Sequence, residues 1–179
     1  MSNIVNLRDV GEFINCISGK KIMFEKRLYR GGRIESEEYL LEAGNPKTII
    51  NLRSTPDKIE RNQDIVKFHF PIVNSIEKYD MKLGDVRKWL NSVLSTLSRN
   101  DIKHPVFIHC TSGKDRTGIV VASLLWLLGI PENVIKEEYL LSEGKVSIHS
   151  IDLSIKGIKG KDNYFNKVSA LQLKNNFLL

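Results

Sequence analysis

The sequence predicts an α/β fold, a mainly parallel central sheet flanked by helices in three layers. Three observations lead there. Short apolar, β-rich runs recur at TIINLR (48–53), KFHFPI (67–72) and PVFIHC (105–110). Segments with helically spaced apolar residues alternate with those runs. The last run passes into a second apolar segment through a short polar loop, VFIHCTSGKDRTGIVVA (106–122), which is a strand–loop–helix order.

Taken along the chain, Leu28 and Tyr29 start a short strand ahead of the three longer runs. In GDVRKWLNSVLSTLSRN (84–100), Val86, Leu90, Val93, Leu94 and Leu97 share one helical face, and Asp85 is placed to cap its start. Residues 116–128 are apolar nearly all round, which predicts a buried helix stopped by Gly129. Pro131 opens the next helix, PENVIKEEYLLSE (131–143), as a first-turn proline. NYFNKVSALQLKNNFLL (163–179) reads as a final amphipathic helix. Without repeats, low-complexity tracts or linkers, residues 1–179 read as a single domain. A sheet of this kind carries its ligand site at the carboxyl ends of its strands, where Cys110 sits.

Composition narrows the function. Hydrophobic residues at 41% and charged residues at 27% are ordinary for a soluble globular chain. The longest apolar run, 119–128, falls short of the ~20 residues of a membrane span. The start, MSNIVNLRDVGEF, lacks the basic-then-apolar order of a secretory signal. A cytoplasmic location is therefore expected, with delivery to a host cell by an uncleaved route left open. Two cysteines allow one bridge at most, and His69, His104, His109 and His149 lack zinc-site spacing. No metal or other cofactor is expected. The net charge of +6 suits an anionic partner such as a phosphate ester or an acidic lipid headgroup, with a modest cluster at Lys156, Lys159 and Lys161. Aromatic residues are few and do not interleave with the basic ones, which argues against nucleic acid.

The loop 111–116 carries the chemistry. Its backbone N–H groups and those of the following helical turn have no intrahelical partner and form an anion cradle of phosphate size. Thr111, Ser112, Gly113 and Lys114 line it, Gly113 allowing the tight curl. Arg116 can lay its planar fork over two oxygens of the same anion. Cys110 lies at the floor, where the helix end and Arg116 favour a thiolate. A thiolate beneath a phosphoryl group points to in-line attack and a cysteinyl-phosphate. Thr117 can place a hydroxyl near the sulfur, and His109 is expected to order the loop through hydrogen bonds. Cys-x5-Arg alone is a weak pattern. The preceding strand, the His before Cys, the loop glycine and the Thr-Gly after Arg make it specific. A nucleotide P-loop is excluded, because no glycine stands near position 108 and Asp115 replaces the required Ser or Thr.

HCTSGKDRTG (109–118) resembles the signature of cysteine-based protein tyrosine phosphatases, most closely the bacterial group with Gly-Lys-Asp-Arg-Thr-Gly. That group is related to tyrosine, dual-specificity and phosphoinositide phosphatases. NLRDVG (6–11), LYRGGRI (28–34), INLRSTPD (50–57) and the helices after the loop extend the resemblance over about residues 3–143. It implies a tyrosine-phosphatase-like fold, with Cys110 as nucleophile and Arg116 as phosphate clamp.

Phenolate is a poor leaving group, so a proton donor is expected. The resemblance implies an aspartate on the loop after the strand preceding the catalytic one. That segment is HFPIVNSIEKYD (69–80), and Asn74 holds the matching position, with no acid proton to give. Asp80 is a reserve, and Glu77 and Asp85 are poorer choices. Asp115 is the stronger candidate, because phosphatases with Asp just before the arginine, the myotubularin type among them, are thought to use it. A helix N-terminus favours its carboxylate, whereas a bound phosphate dianion favours its protonated form. Lys114 at the rim goes, in the resembled families, with phosphoinositide activity. Arg53 either touches the site or pairs with Asp57 or Glu60. Arg8, Asp9, Arg30 and Arg33 read as packing and ion-pair residues, and Cys16 as a core cysteine rather than a resolving thiol.

The expected function is a phosphoric monoester hydrolase acting on phosphotyrosine or, with dual specificity, on other phosphorylated protein residues. A phosphoinositide or inositol-phosphate phosphatase is the alternative. A non-catalytic phosphate-binding module is the third reading, motivated by Asn74. Transient contact with an anionic membrane surface is compatible with the charge, and no stable partner is expected.

Overall fold

A computed structural model describes residues 2–59, 64–73 and 77–179. In chain order the elements are β1 (Arg8–Asp9), α1 (Val10–Ser18), β2 (Leu28–Gly31), α2 (Tyr39–Glu42), β3 (Thr48–Asn51) and β4 (Val66–His69). There follow α3 (Gly84–Leu97), β5 (Val106–His109), α4 (Asp115–Leu127), α5 (Glu132–Leu140), α6 (Ile148–Lys159) and α7 (Ala170–Phe177). The strands form one sheet in the order β1-β2-β5-β3-β4. Only the β1–β2 pair is antiparallel. The mainly parallel α/β sheet expected from the sequence is the fold observed.

β5 lies between β2 and β3, in register from Val106 opposite both Leu28 and Thr48 to His109 opposite both Gly31 and Asn51. All four of its residues are buried, as a central parallel strand covered on both faces requires. Strand alternation splits them between two cores. Val106 and Ile108 join Ile50 in the larger core, with residues of α1 and α3–α7. Phe107 joins Ile49 in a smaller one, with Leu40 of α2, Ile4, Ile34, Ile59 and Ile65. Among the described residues the outer layers are therefore unequal, with six helices against one face and a single short helix plus loops against the other.

Several local expectations shift. The α4 helix is buried from Thr117 to Leu125, as its unbroken apolar run implies, and ends where Gly129 adopts φ +82°. Pro131 occupies the N-cap of α5 rather than its first turn. Asp85 does not cap α3: the N-cap is Leu83, and Asp85 lies in the first turn, where its charge meets the helix dipole without a capping bond. In the tail only Ala170–Phe177 is helical, opened by Ser169, whose Oγ accepts from Gln172 N–H. Cys16 is exposed, which corrects its reading as a core residue. The inner face of α1 is made by Val10, Ile14 and Asn15, and Cys16 points away from it.

Candidate active site

Cys110 follows the last residue of β5 and is 2% exposed, at the carboxyl end of the central strand. The loop 111–114 turns from there into α4, which begins at Asp115. The carbonyls of its first three residues accept hydrogen bonds from the N-terminal part of the chain. Thr111 O takes Arg33 N–H at 3.2 Å, Ser112 O takes Asn6 Nδ2 at 2.8 Å, and Gly113 O takes Arg30 Nη2 at 2.9 Å. A planar trans peptide places its N–H opposite its carbonyl. Tying those carbonyls outward turns the N–H groups of Ser112, Gly113 and Lys114 the other way, and none of the three has a partner among the described residues. This is an anion nest fixed from behind.

Gly113 is obligatory there. Its φ is +66°, and an added Cβ would lie 2.3 Å from Gly31 C and 2.6 Å from Gly32 N. Both obstacles are backbone, so the loop must move. Gly113→Ala is expected to cut phosphate affinity about 5- to 150-fold, because the clash and the left-handed φ together cost roughly 1–3 kcal/mol. Titration with inorganic phosphate followed by calorimetry checks this, and unchanged affinity would contradict the proposed backbone contact.

Arg30 is fully buried behind the nest. Its Nη1 meets Glu138 Oε2 at 2.7 Å, and Arg8 Nε meets Glu138 Oε1 at 2.8 Å. Arg8 Nη2 also donates to Glu138 O and to Ser142 Oγ. Burial pushes the Arg30 guanidinium below its ordinary value, opposed by Glu138 and by charge at Cys110. The sequence reads Arg8, Arg30 and Arg33 as packing and ion-pair residues. All three are ion-paired as expected, Arg33 Nε meeting Glu35 Oε1 at 2.6 Å, but Arg30, the Arg33 backbone N–H and Asn6 also set the cradle. The signal that could have found this was the resemblance itself, which covers their segments as well as the loop.

Arg116 sits at the mouth. Its Nη1 donates to Leu52 O at 2.9 Å and its Nη2 to Thr111 Oγ1 at 3.2 Å. Thr117 is buried in the first turn of α4, and its Oγ1 has no hydrogen-bond partner among the described residues. His109 is fully buried and bonds Asp57 Oδ2 through Nε2 at 2.9 Å. It thus ties the end of β5 to the segment after β3 rather than bonding the loop. Arg53 pairs with the same Asp57 at 3.5 Å, and Glu60 lies outside the described residues.

Asp115 opens α4 with its side chain 45% exposed, its Oδ2 3.8 Å from Lys114 Nζ. The Tyr79 hydroxyl donates to Asp115 Oδ1 at 2.8 Å and lies 2.7 Å from the Tyr139 hydroxyl. Burial, first, and then the bonds to Tyr139 and Asp115 push Tyr79 far above the ordinary tyrosine value. Burial also raises Tyr139. Sequence reasoning missed Tyr79, which no spacing links to a residue 36 positions away. Asp80 Oδ1 is taken up by Lys82 N–H and Glu77 Oε1 by Tyr79 N–H. Asn74 lies outside the described residues. A groove of about 1300 Å³ opens beside Asp115 and Arg116, bordered by Tyr79, Lys82, Lys156 and Lys161.

Fold and site together define a class: an α/β protein of the cysteine-phosphatase type, with thiol, anion nest and arginine on one strand–loop–helix unit. The tyrosine phosphatase family model matches residues 1–171, and the chain belongs to that family. The match reaches beyond residue 143, where the resemblance read from sequence stopped. A protein of Invertebrate iridescent virus 6, described as a tyrosine phosphatase and called 197R, is 27% identical over 124 residues, 65% of this chain and 45% of that protein. The triple specificity protein phosphatase PtpB of Mycobacterium tuberculosis is 50% identical over 42 residues, 24% of this chain and 15% of its own. The match spans less than half the length of either relative. Among solved structures, the core catalytic domain of the PP-IP phosphatase SIW14 from S. cerevisiae has a TM-score of 0.53 at 19% identity, over 79% of this chain and 93% of that one.

Proposed function

We propose that this chain hydrolyses phosphate monoesters through a cysteinyl-phosphate, with phosphotyrosine or other phosphorylated protein residues as substrate. The observation that carries the reading is the outward tying of three successive loop carbonyls around Cys110. That arrangement aims N–H groups at the oxygens of a phosphoryl group seated on the sulfur.

Chemistry follows in two steps. The Cys110 thiolate attacks phosphorus, the S–P bond forms, and the bond to the leaving oxygen breaks. Asp115 gives its proton to that oxygen. Water then attacks phosphorus, Asp115 takes its proton, and the S–P bond breaks to return thiolate and inorganic phosphate. Arg116 swings from Leu52 O onto two phosphoryl oxygens, and the nest holds the third. Asp115 is preferred to Asp80 because it directly follows the loop and precedes Arg116, while Asp80 is engaged by a local backbone N–H.

Asp115→Asn is expected to lower kcat/KM for phenyl phosphate about 100-fold while sparing 2,4-dinitrophenyl phosphate, whose leaving group needs no proton. Steady-state rates on the two esters test it, and full activity on phenyl phosphate would remove Asp115 from the role.

A phosphoinositide or inositol-phosphate substrate is the second reading, favoured by Lys82, Lys156 and Lys161 around the groove. It fits transient contact with an anionic membrane surface. Phosphate release measured side by side from phosphopeptides and phosphoinositides decides between the two. Equal rates on phosphoserine and phosphotyrosine peptides would rule out strict tyrosine specificity.

A further inference from the structure

The Tyr79–Tyr139 pair is a connection that the proposed chemistry does not use. Three oxygens stand in a row: Tyr139 Oη, Tyr79 Oη and Asp115 Oδ1, with gaps of 2.7 and 2.8 Å. Each comes from a different part of the fold. Tyr139 belongs to α5 and is 1% exposed. Its ring packs over Gly118 of α4, where an added Cβ would lie 2.7 Å from the ring edge. Tyr79 belongs to the segment between β4 and α3. That segment is anchored to α6, because Ser154 Oγ donates to Tyr79 O and Met81 lies where a Cβ on Gly157 would fall, at 2.6 Å.

Proton accounting sets the direction of the row. Each tyrosine has one hydroxyl hydrogen, and two gaps must be bridged. If Tyr79 donates to Asp115, Tyr139 must donate to Tyr79, and both hydrogens are used. Oδ1 of Asp115 then accepts. The proton of a carboxylic acid at this position is left on Oδ2, the oxygen nearer Lys114.

We propose that Tyr79, itself held by Tyr139, is a positioning residue that fixes the Asp115 carboxyl so that Oδ2 is its proton-transferring oxygen. This rests on Asp115 being the proton donor. The side chain is 45% exposed and the first residue of its helix, so little else among the described residues holds its rotation. Tyr79 never touches substrate in this scheme. It acts by lowering the number of orientations in which the acid misses the leaving oxygen.

The test is a leaving-group series of aryl phosphates on four proteins: wild type, Tyr79→Phe, Asp115→Asn and the double variant. Phenylalanine keeps the ring and removes the hydroxyl hydrogen that reaches Oδ1. Tyr79→Phe is expected to lower kcat/KM for phenyl phosphate about tenfold and for 2,4-dinitrophenyl phosphate at most about twofold, steepening the dependence on leaving-group pKa. The double variant should be no slower on phenyl phosphate than Asp115→Asn alone. Tyr139→Phe should give the same selectivity in weaker form, and covers the case of a Tyr79 variant that does not fold. A merely structural role would slow all esters alike and leave the slope unmoved. If Asp115→Asn shows the selective loss but Tyr79→Phe matches wild type, or the two losses multiply, the positioning role is wrong and the acid stands. If Asp115→Asn shows no selectivity, the acid assignment fails and the positioning role falls with it.

Discussion

Cys110→Ser is expected to abolish turnover, lowering kcat on any aryl phosphate by about 10⁴-fold or more, while leaving phosphate binding in place. In the proposed reading the anion is bound by backbone N–H groups, held by Asn6, Arg30 and Arg33, together with Arg116. None of these needs the sulfur. Serine occupies nearly the same volume at this 2% exposed site but supplies a far weaker nucleophile at neutral pH. Two measurements check the pair of outcomes. Acid quench of the wild type during turnover of a ³²P-labelled ester should trap label on the protein, and the variant should trap none. Inorganic phosphate at 100 times its Kd should stabilise both proteins by about 2.7 kcal/mol in thermal unfolding. A wild type that binds phosphate yet neither turns over nor labels would restore the reading of a non-catalytic module.

Glu138→Ala carries the largest expected cost in stability. Its carboxylate is 1% exposed and is the shared partner of two nearly buried guanidinium groups, Arg8 and Arg30. With Glu138 the cluster holds one net positive charge. Without it, two buried cations face each other with no anion between. Removing one member of a buried charged network costs about 3–5 kcal/mol, which for a chain of this length lowers Tm by roughly 10 °C. The damage should also reach the site, because Arg30 is the donor to Gly113 O. Weaker phosphate binding is therefore expected at temperatures where the variant is still folded. Differential scanning calorimetry and a phosphate titration at 15 °C measure the two effects, and a Tm within about 2 °C of wild type would show that the cluster relaxes at little cost.

How much of this was legible in the sequence depends on how local each feature is. β5, the loop and α4 were readable because the apolar run, the break at Cys110 and the second apolar run lie within 17 consecutive residues. The parallel sheet was readable from the alternation of elements. β1 was not, since two residues carry no period, and α1 escaped although Asp9 caps it through Gly11 and Glu12 N–H. α6 was hidden by Ile148, Ile151, Ile155 and Ile158, whose branched side chains favour strands, and by Gly157 inside it. Gly157 is there because Met81 leaves no room for a larger residue. Cys16 was misplaced because a cysteine on a helix of unknown phase carries no sign of which face it takes. Tyr79 and the outward-tied carbonyls depend on contacts between distant segments, and such contacts leave no spacing to read.

The tying of the cradle from behind has a kinetic side. Asn6 reaches Ser112 across 106 positions and Arg30 reaches Gly113 across 83. Contacts of such separation are slow to form, because a long loop must close before they give anything back. The helix at 115–127 can form early from its own sequence, but the peptide planes of 111–113 acquire their direction only when the first fifth of the chain docks. Affinity for phosphate is then a property of the completed topology rather than of the signature that announces it, and its appearance during refolding marks the arrival of the N-terminal segment.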